Sequence, residues 1–177
     1  RRPDLERREA DPVDLQYVFL CDEAAEDPNG KLDVQGIFHD LLAPGFPAVQ
    51  ERMVLVLVIE WGRKDQGRYN LKAELVGPDG GVVLTVDGHS DVEVRTPERP
   101  PARTRLVMPL EKVVFPRPGK YFLRVIVKGE RFRGPSLHLL EMEGVGETEL
   151  PSTAPVPGVA SGRIILDNAV PSTLVST

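Results

Sequence analysis

The sequence predicts an all-β chain: an antiparallel two-layer sandwich of about eight or nine short strands, with extended segments at both ends. Three observations predict it. Apolar and polar residues alternate with the period of two that a half-buried strand requires, most clearly in Tyr121, Leu123, Val125 and Val127 against Arg124 and Lys128. Glycine, proline and asparagine punctuate the chain at regular intervals, as in Pro28-Asn29-Gly30, Gly77-Pro78-Asp79-Gly80-Gly81 and Pro116-Arg117-Pro118-Gly119. No stretch carries a 3.6-residue apolar repeat with helix caps.

The elements follow in order. Leu15 to Cys21 reads as a first strand. Glu26-Asp27-Pro28-Asn29-Gly30-Lys31 then reverses the chain, because proline presets φ and Asn-Gly supplies positive φ. Lys31 to Phe38 is a second strand, with Leu32 and Val34 on one face and a bulge at Gly36. A loop through Pro44, Gly45 and Pro47 follows, and residues 46–51 have room for one helical turn at most. Arg52 to Trp61 is apolar on both faces, which makes it a central strand covered on both sides. After the Gly62–Gly67 turn, Tyr69, Leu71, Ala73 and Leu75 alternate with Asn70, Lys72 and Glu74. Val82 to Val86 continues past a kink near Gly88 into Val92 and Val94. Ala102 to Met108, residues 113–115, Tyr121 to Val127 and Arg131 to Met142 complete the set.

Three zones result. Residues 1–14 form a charged N-terminal extension with too little apolar surface to fold alone, 15–143 form the sandwich, and 144–177 form a tail rich in Pro, Gly, Ser and Thr. The 177 residues permit one full hydrophobic core, and the net charge of -5 argues against nucleic acid, which demands a concentrated basic face. Arg1, Arg2, Arg7 and Arg8 cluster at the start, diluted by Asp4, Glu6 and Glu9, and read as a solvated leader. The chain begins with Arg rather than Met, as a processed or trimmed end does, and it shows no signal-peptide core. The longest apolar run, Met53 to Ile59, is far short of the roughly 18 residues of a spanning helix. One cysteine, Cys21, lies in an apolar strand and fits a buried thiol in a reducing compartment, so a cytoplasmic location is expected.

Residues that could carry chemistry are few. Of the three histidines, His39 and His138 lie in strand contexts, and His89 sits beside Ser90 in Asp87-Gly88-His89-Ser90-Asp91. That stretch holds the residue types of a nucleophile and its base, but Ser90 lacks the glycine-flanked context of a nucleophile elbow, and a polar bend explains it equally well. Asp22, Glu23, Glu26, Asp27 and Asn29 form an acidic loop without the ligand spacing of a calcium loop. No His or Cys pair has zinc spacing, and no glycine-rich loop precedes a helix. Trp61, Tyr69, Phe115, Tyr121 and Phe122 read as core aromatics rather than a ligand platform. No catalytic residue, cofactor or metal site is assigned.

Several phrases, taken in order, carry a resemblance. They are Asp27-Pro28-Asn29-Gly30-Lys31-Leu32 with Gly36-Ile37-Phe38, Phe46-Pro47-Ala48, Arg68-Tyr69, Leu75-Val76-Gly77-Pro78-Asp79-Gly80, and Phe115-Pro116 through Tyr121 to Gly129-Glu130. Over residues 15–141 this order resembles a bacterial domain-of-unknown-function family with an immunoglobulin-like β-sandwich fold. The resemblance implies that fold, with no activity, substrate or catalytic residue.

The tails shape the functional expectation. Proline-rich extensions laid over a neighbour gain contact area while starting with less entropy to lose. The chain is therefore expected to be a non-catalytic structural or accessory subunit that docks onto other protein subunits through its sandwich and tails. Pro155, Pro157, Ile164, Ile165, Leu166 and Leu174 are the expected partner-contacting residues. A peripheral subunit at the cytoplasmic face of a bacterial membrane complex, such as a photosynthetic reaction-centre complex, is one instance. The competing expectation is a stand-alone ligand-binding or enzymatic β-domain whose pocket lies near residues 39–50 and 87–91.

Overall fold

The alternating segments become nine strands in the computed structural model, which describes residues 12–143 and, further on, the backbone of 172–173 and 175–176. The strands are β1 Asp14–Glu26, β2 Leu32–Ile37, β3 Asp40–Ala43, β4 Ala48–Glu60, β5 Gly67–Val76, β6 Val82–Val92, β7 Arg103–Phe115, β8 Gly119–Val127 and β9 Glu130–Glu141. Two-residue strands β10, Ser172–Thr173, and β11, Val175–Ser176, follow. No helix occurs among the described residues.

β4 organises the first sheet. It pairs with β7 on one side and with β1 on the other, and β2 extends the sheet beyond β1. Residues 53–59 are all buried, as a strand apolar on both faces demands. Met53, Leu55, Leu57 and Ile59 point into the space between the sheets. There they meet Leu71, Ala73 and Leu75 of β5, Tyr121, Leu123 and Val125 of β8, and Leu137 and Leu139 of β9. Each fully buried Leu, Ile, Val or Met among them contributes about 1.5–3 kcal/mol. The second sheet runs β10-β3-β9-β8-β5-β6.

The other face of β4 is covered by the chain itself. Cys21, Val54 and Val56 form a smaller apolar cluster with Phe19, Ala24, Leu32, Val34 and Val107. The β1–β2 hairpin curls over β4, turning the first sheet into a half-barrel. Its tip reaches β7, where the Arg105 guanidinium donates to the Gly30 carbonyl at 2.8 Å and lies 3.2 Å from Glu26 Oε1. The tip itself is held by Asp27, whose Oδ1 accepts from the Asn29 and Lys31 amides at 2.8 Å each.

Four details differ from the sequence reading. The sandwich is not wholly antiparallel, because β3 pairs in parallel with β9. The chain leaves the first sheet at Phe38, whose amide bonds to the Leu20 carbonyl, and enters the second at His39, whose carbonyl accepts from His138. Gly36 makes no bulge: it has a φ of 64°, yet the β1–β2 register runs unbroken past it. A Cβ there would lie 2.0 Å from Asp22 Oδ2, so glycine answers a close approach. Gly88 makes no kink either, and β6 runs straight through it against Leu71. Finally, β4 begins at Ala48, ahead of the start expected at Arg52.

Candidate functional site

The chemistry-bearing residues are dispersed by the fold. His39, His89 and His138 are all exposed, and they sit before β3, on β6 and on β9. His138 Nδ1 lies 3.3 Å from Asp40 Oδ1. Successive residues of a strand face opposite sides, so His89 and Ser90 point apart. Ser90 Oγ instead hydrogen-bonds Thr104 Oγ1, which accepts from the Trp61 indole N–H at 2.7 Å. The acidic loop is likewise occupied: Asp27 by its own turn and Glu26 by Arg105. No group of three or more potential metal ligands occurs among the described residues.

Register separates the two halves of the pocket expected from residues 39–50 and 87–91. Asp40 aligns with His138 and Lys120, whereas Gly88 aligns with Leu71 and Val127. Lys120 and Val127 are about 23 Å apart along β8, so the segments lie at opposite ends of the sheet. A depression of about 550 Å³ is lined by residues including Asn70, Lys72, Glu74, Asp87, Ile126 and Lys128. It takes Asp87 and Gly88 from the expected pocket and nothing from 39–50.

At the end of the sandwich beyond β5 the sequence reading missed a connected polar group. Asp65 is buried, and its carboxylate accepts from the Gly62 amide at 2.9 Å and from Lys128 Nζ at 2.6 Å. Trp61 and Tyr69 stack at 4.9 Å, and Lys128 Nζ lies 5.7 Å from the Tyr69 ring centre. These groups tie the 62–66 loop to the β8–β9 turn. Every buried side-chain polar atom among the described residues has a partner, those of this cluster included. Only Gly62-x-x-Asp65 hinted at it, because a carboxylate three residues on can reach back to an amide.

The outer face of the second sheet is a ladder of charge. Arg68 grips Asp91 with two bonds at 2.9 and 3.1 Å, Lys72 faces Asp87 at 3.6 Å, and Arg124 Nη2 lies 2.6 Å from Glu74. The hydrogen bond from Arg68 holds the exposed Asp91 carboxyl below the usual carboxylate range. On β9 the register shifts between Phe122 and Arg124 of the partner strand, so Phe122 faces Ser136 but Arg124 faces Arg133. This bulge lets Gly134 point inward, where a Cβ would lie 2.5 Å from Val18 Cγ1, and turns Arg133 and Arg131 outward beside Arg124 and Ile126. The Arg133 guanidinium lies 3.8 Å from the Phe122 ring centre.

The outer face of the first sheet is apolar near β1. Tyr17 and Phe19 stack at 6.4 Å, and Tyr17 and Ile37 are 47% and 44% exposed. Ile37 is the cross-strand partner of Cys21, so it lies on the face that Phe19 and Tyr17 share.

The expected tail residues Pro155, Pro157, Ile164, Ile165, Leu166 and Leu174 lie outside the described residues. Just before Leu174, β10 pairs in parallel with β3 (Ser172 with Leu41, Thr173 with Leu42). β11 pairs antiparallel with β4 (Val175 with Val49, Ser176 with Ala48).

Comparison with known families matches residues 16–139 to a family of unknown function, DUF6941. The chain belongs to this family. Its match ends within β9 and takes in the core, the curled hairpin and the charge ladder. No curated protein matches the chain. Among solved structures it is similar to the Pseudomonas fluorescens alkylpurine DNA glycosylase AlkC bound to DNA containing an abasic site analog. The identity is 12% and the TM-score 0.36, over 72% of this chain and 30% of that one. Among the described residues, no helix is long and apolar enough to cross a membrane.

Proposed function

We propose that this DUF6941 chain is a non-catalytic accessory subunit that docks onto other protein subunits. The observation that carries this reading is the apolar stripe on the outer face of the first sheet, where Tyr17 and Ile37 are exposed beside the half-buried Phe19. A stacked aromatic pair beside a half-exposed isoleucine is costly surface to leave in water and is the kind of patch that partners cover. The polar interior supports the same reading, since Asp65, Thr104 and Trp61 hold strands and loops together. β10 and β11 add that β3 and β4 accept short extended segments.

Within this reading the sandwich is immunoglobulin-like. The buried Tyr121 hydroxyl donates to the Arg117 carbonyl at 2.7 Å, a link from an early strand residue back to the preceding corner. Trp61 in the core is a second feature of that kind.

Affinity purification from the source cells tests the reading. The full chain carrying Tyr17→Glu and Ile37→Glu is expected to fold, since both sites are exposed, and to lose the subunits that the unmodified chain recovers. Equal recovery by both chains, with unchanged thermal midpoints, overturns it.

A further inference from the structure

We infer, resting on the docking reading above, that the outer face of β8 and β9 receives an extended acidic segment of a partner protein. Lys120, Arg131 and Arg133 project from this face, and none has an acidic partner within ion-pair distance among the described residues. Phe122 and Ile126 lie between them and are half-buried.

The placement works against the sheet's own stability. Arg124 and Arg133 stand directly opposite each other across the β8–β9 ladder, and like charges in that relation destabilise a sheet. Glu74 compensates Arg124, whereas Arg133 has only the face of Phe122. The β9 bulge creates this arrangement. An unshifted register would place Gly134 opposite Arg124 and turn Arg133 toward the core. A carboxylate from outside removes the repulsion and finds a guanidinium already placed over an aromatic ring.

Spacing identifies the partner's form. Arg131 and Arg133 are two residues apart on one strand, about 7 Å. An extended chain with Asp or Glu at every second position presents carboxylates at that repeat. Polynucleotide fits less well, because the basic strip is only two strands wide, about 10 Å. Asp40 bounds it on β3, and Asp87 and Asp91 stand on β6 beyond the paired Glu74. A phosphate backbone running beyond the strip would meet those carboxylates.

Fluorescence anisotropy on the full chain tests this with a short labelled peptide alternating Glu and Thr. Saturable binding is expected, weakening as salt rises. Arg131→Glu with Arg133→Glu should weaken it by at least about tenfold, while Arg95→Glu, on a distant loop, should leave it unchanged. A thermal midpoint for each variant excludes unfolding as the cause. No saturable binding, equal binding by the doubly substituted chain, or tighter binding of a single-stranded oligonucleotide through the same arginines each overturns the inference. If the peptide fails while the chain still recovers partner subunits, this face is wrong and the docking reading stands. If the chain recovers no partner, the docking reading fails whatever the peptide does.

Discussion

Cys21 has no exposed surface and lies in the smaller apolar cluster, with its Sγ 3.4 Å from the Glu23 carbonyl oxygen and 3.6 Å from that of Val54. Burial, reinforced by the neighbouring Asp22 carboxylate, pushes the thiol up to about 11 from 9.0. The thiol is therefore neutral at ordinary pH, and the thiolate that reacts with alkylating agents is scarce. Iodoacetamide at pH 8 should leave Cys21 unmodified in the folded chain and label it fully once the chain is denatured. Because the folded state holds the proton more tightly, stability should decline as pH rises from about 9 to about 11. Rapid labelling of the folded chain would show that the hairpin does not cover β4. The burial of Cys21 could be read from its place in an apolar strand, whereas the Arg131–Arg133 surface could not. The parity of those arginines depends on a bulge, and a single extra residue turns every side chain beyond it to the other face.

At the scale of elements, the β1–β2 hairpin departs most from a flat sandwich. Leu32 and Val34 stay half-buried only because the hairpin curls over Val54 and Val56. Arg105 is the clasp, reaching Gly30 and Glu26 from across the sheet. A charge-assisted bond to a carbonyl in a half-exposed position is worth about 1 kcal/mol after solvent screening. Arg105→Ala should therefore lower stability by about that amount and raise amide exchange in the β2 hairpin, leaving β5 and β8 protected. Uniform loss of protection, or none at the hairpin, contradicts the clasp. The turn at Asp27-Pro28-Asn29-Gly30 was legible because its geometry is encoded in four adjacent residues. The curl was not, because Arg105 and Gly30 meet across a gap of 75 residues that no local pattern spans. The crossing from Leu20 to His138 at Phe38 and His39 was hidden for the same reason, and with it the parallel pairing of β3.

For the whole molecule, the all-β architecture was plain in the sequence, since alternation and turn chemistry act over a few residues each. The dispersal of histidines and the separation of residues 39–50 from 87–91 became visible only through strand order, which depends on long-range pairing. The described residues present an apolar stripe on one sheet, a charge ladder with a basic strip on the other, and a core whose buried side-chain polar atoms all have partners. On the docking proposal, the chain is expected to occur bound to other subunits. The most direct test is the native mass of the chain in an extract of its source cells, followed by an antibody at endogenous level. A hetero-assembly well above the mass of the polypeptide, dissociating into distinct subunits under denaturation, is the expected result. A single monodisperse species at the monomer mass contradicts the account.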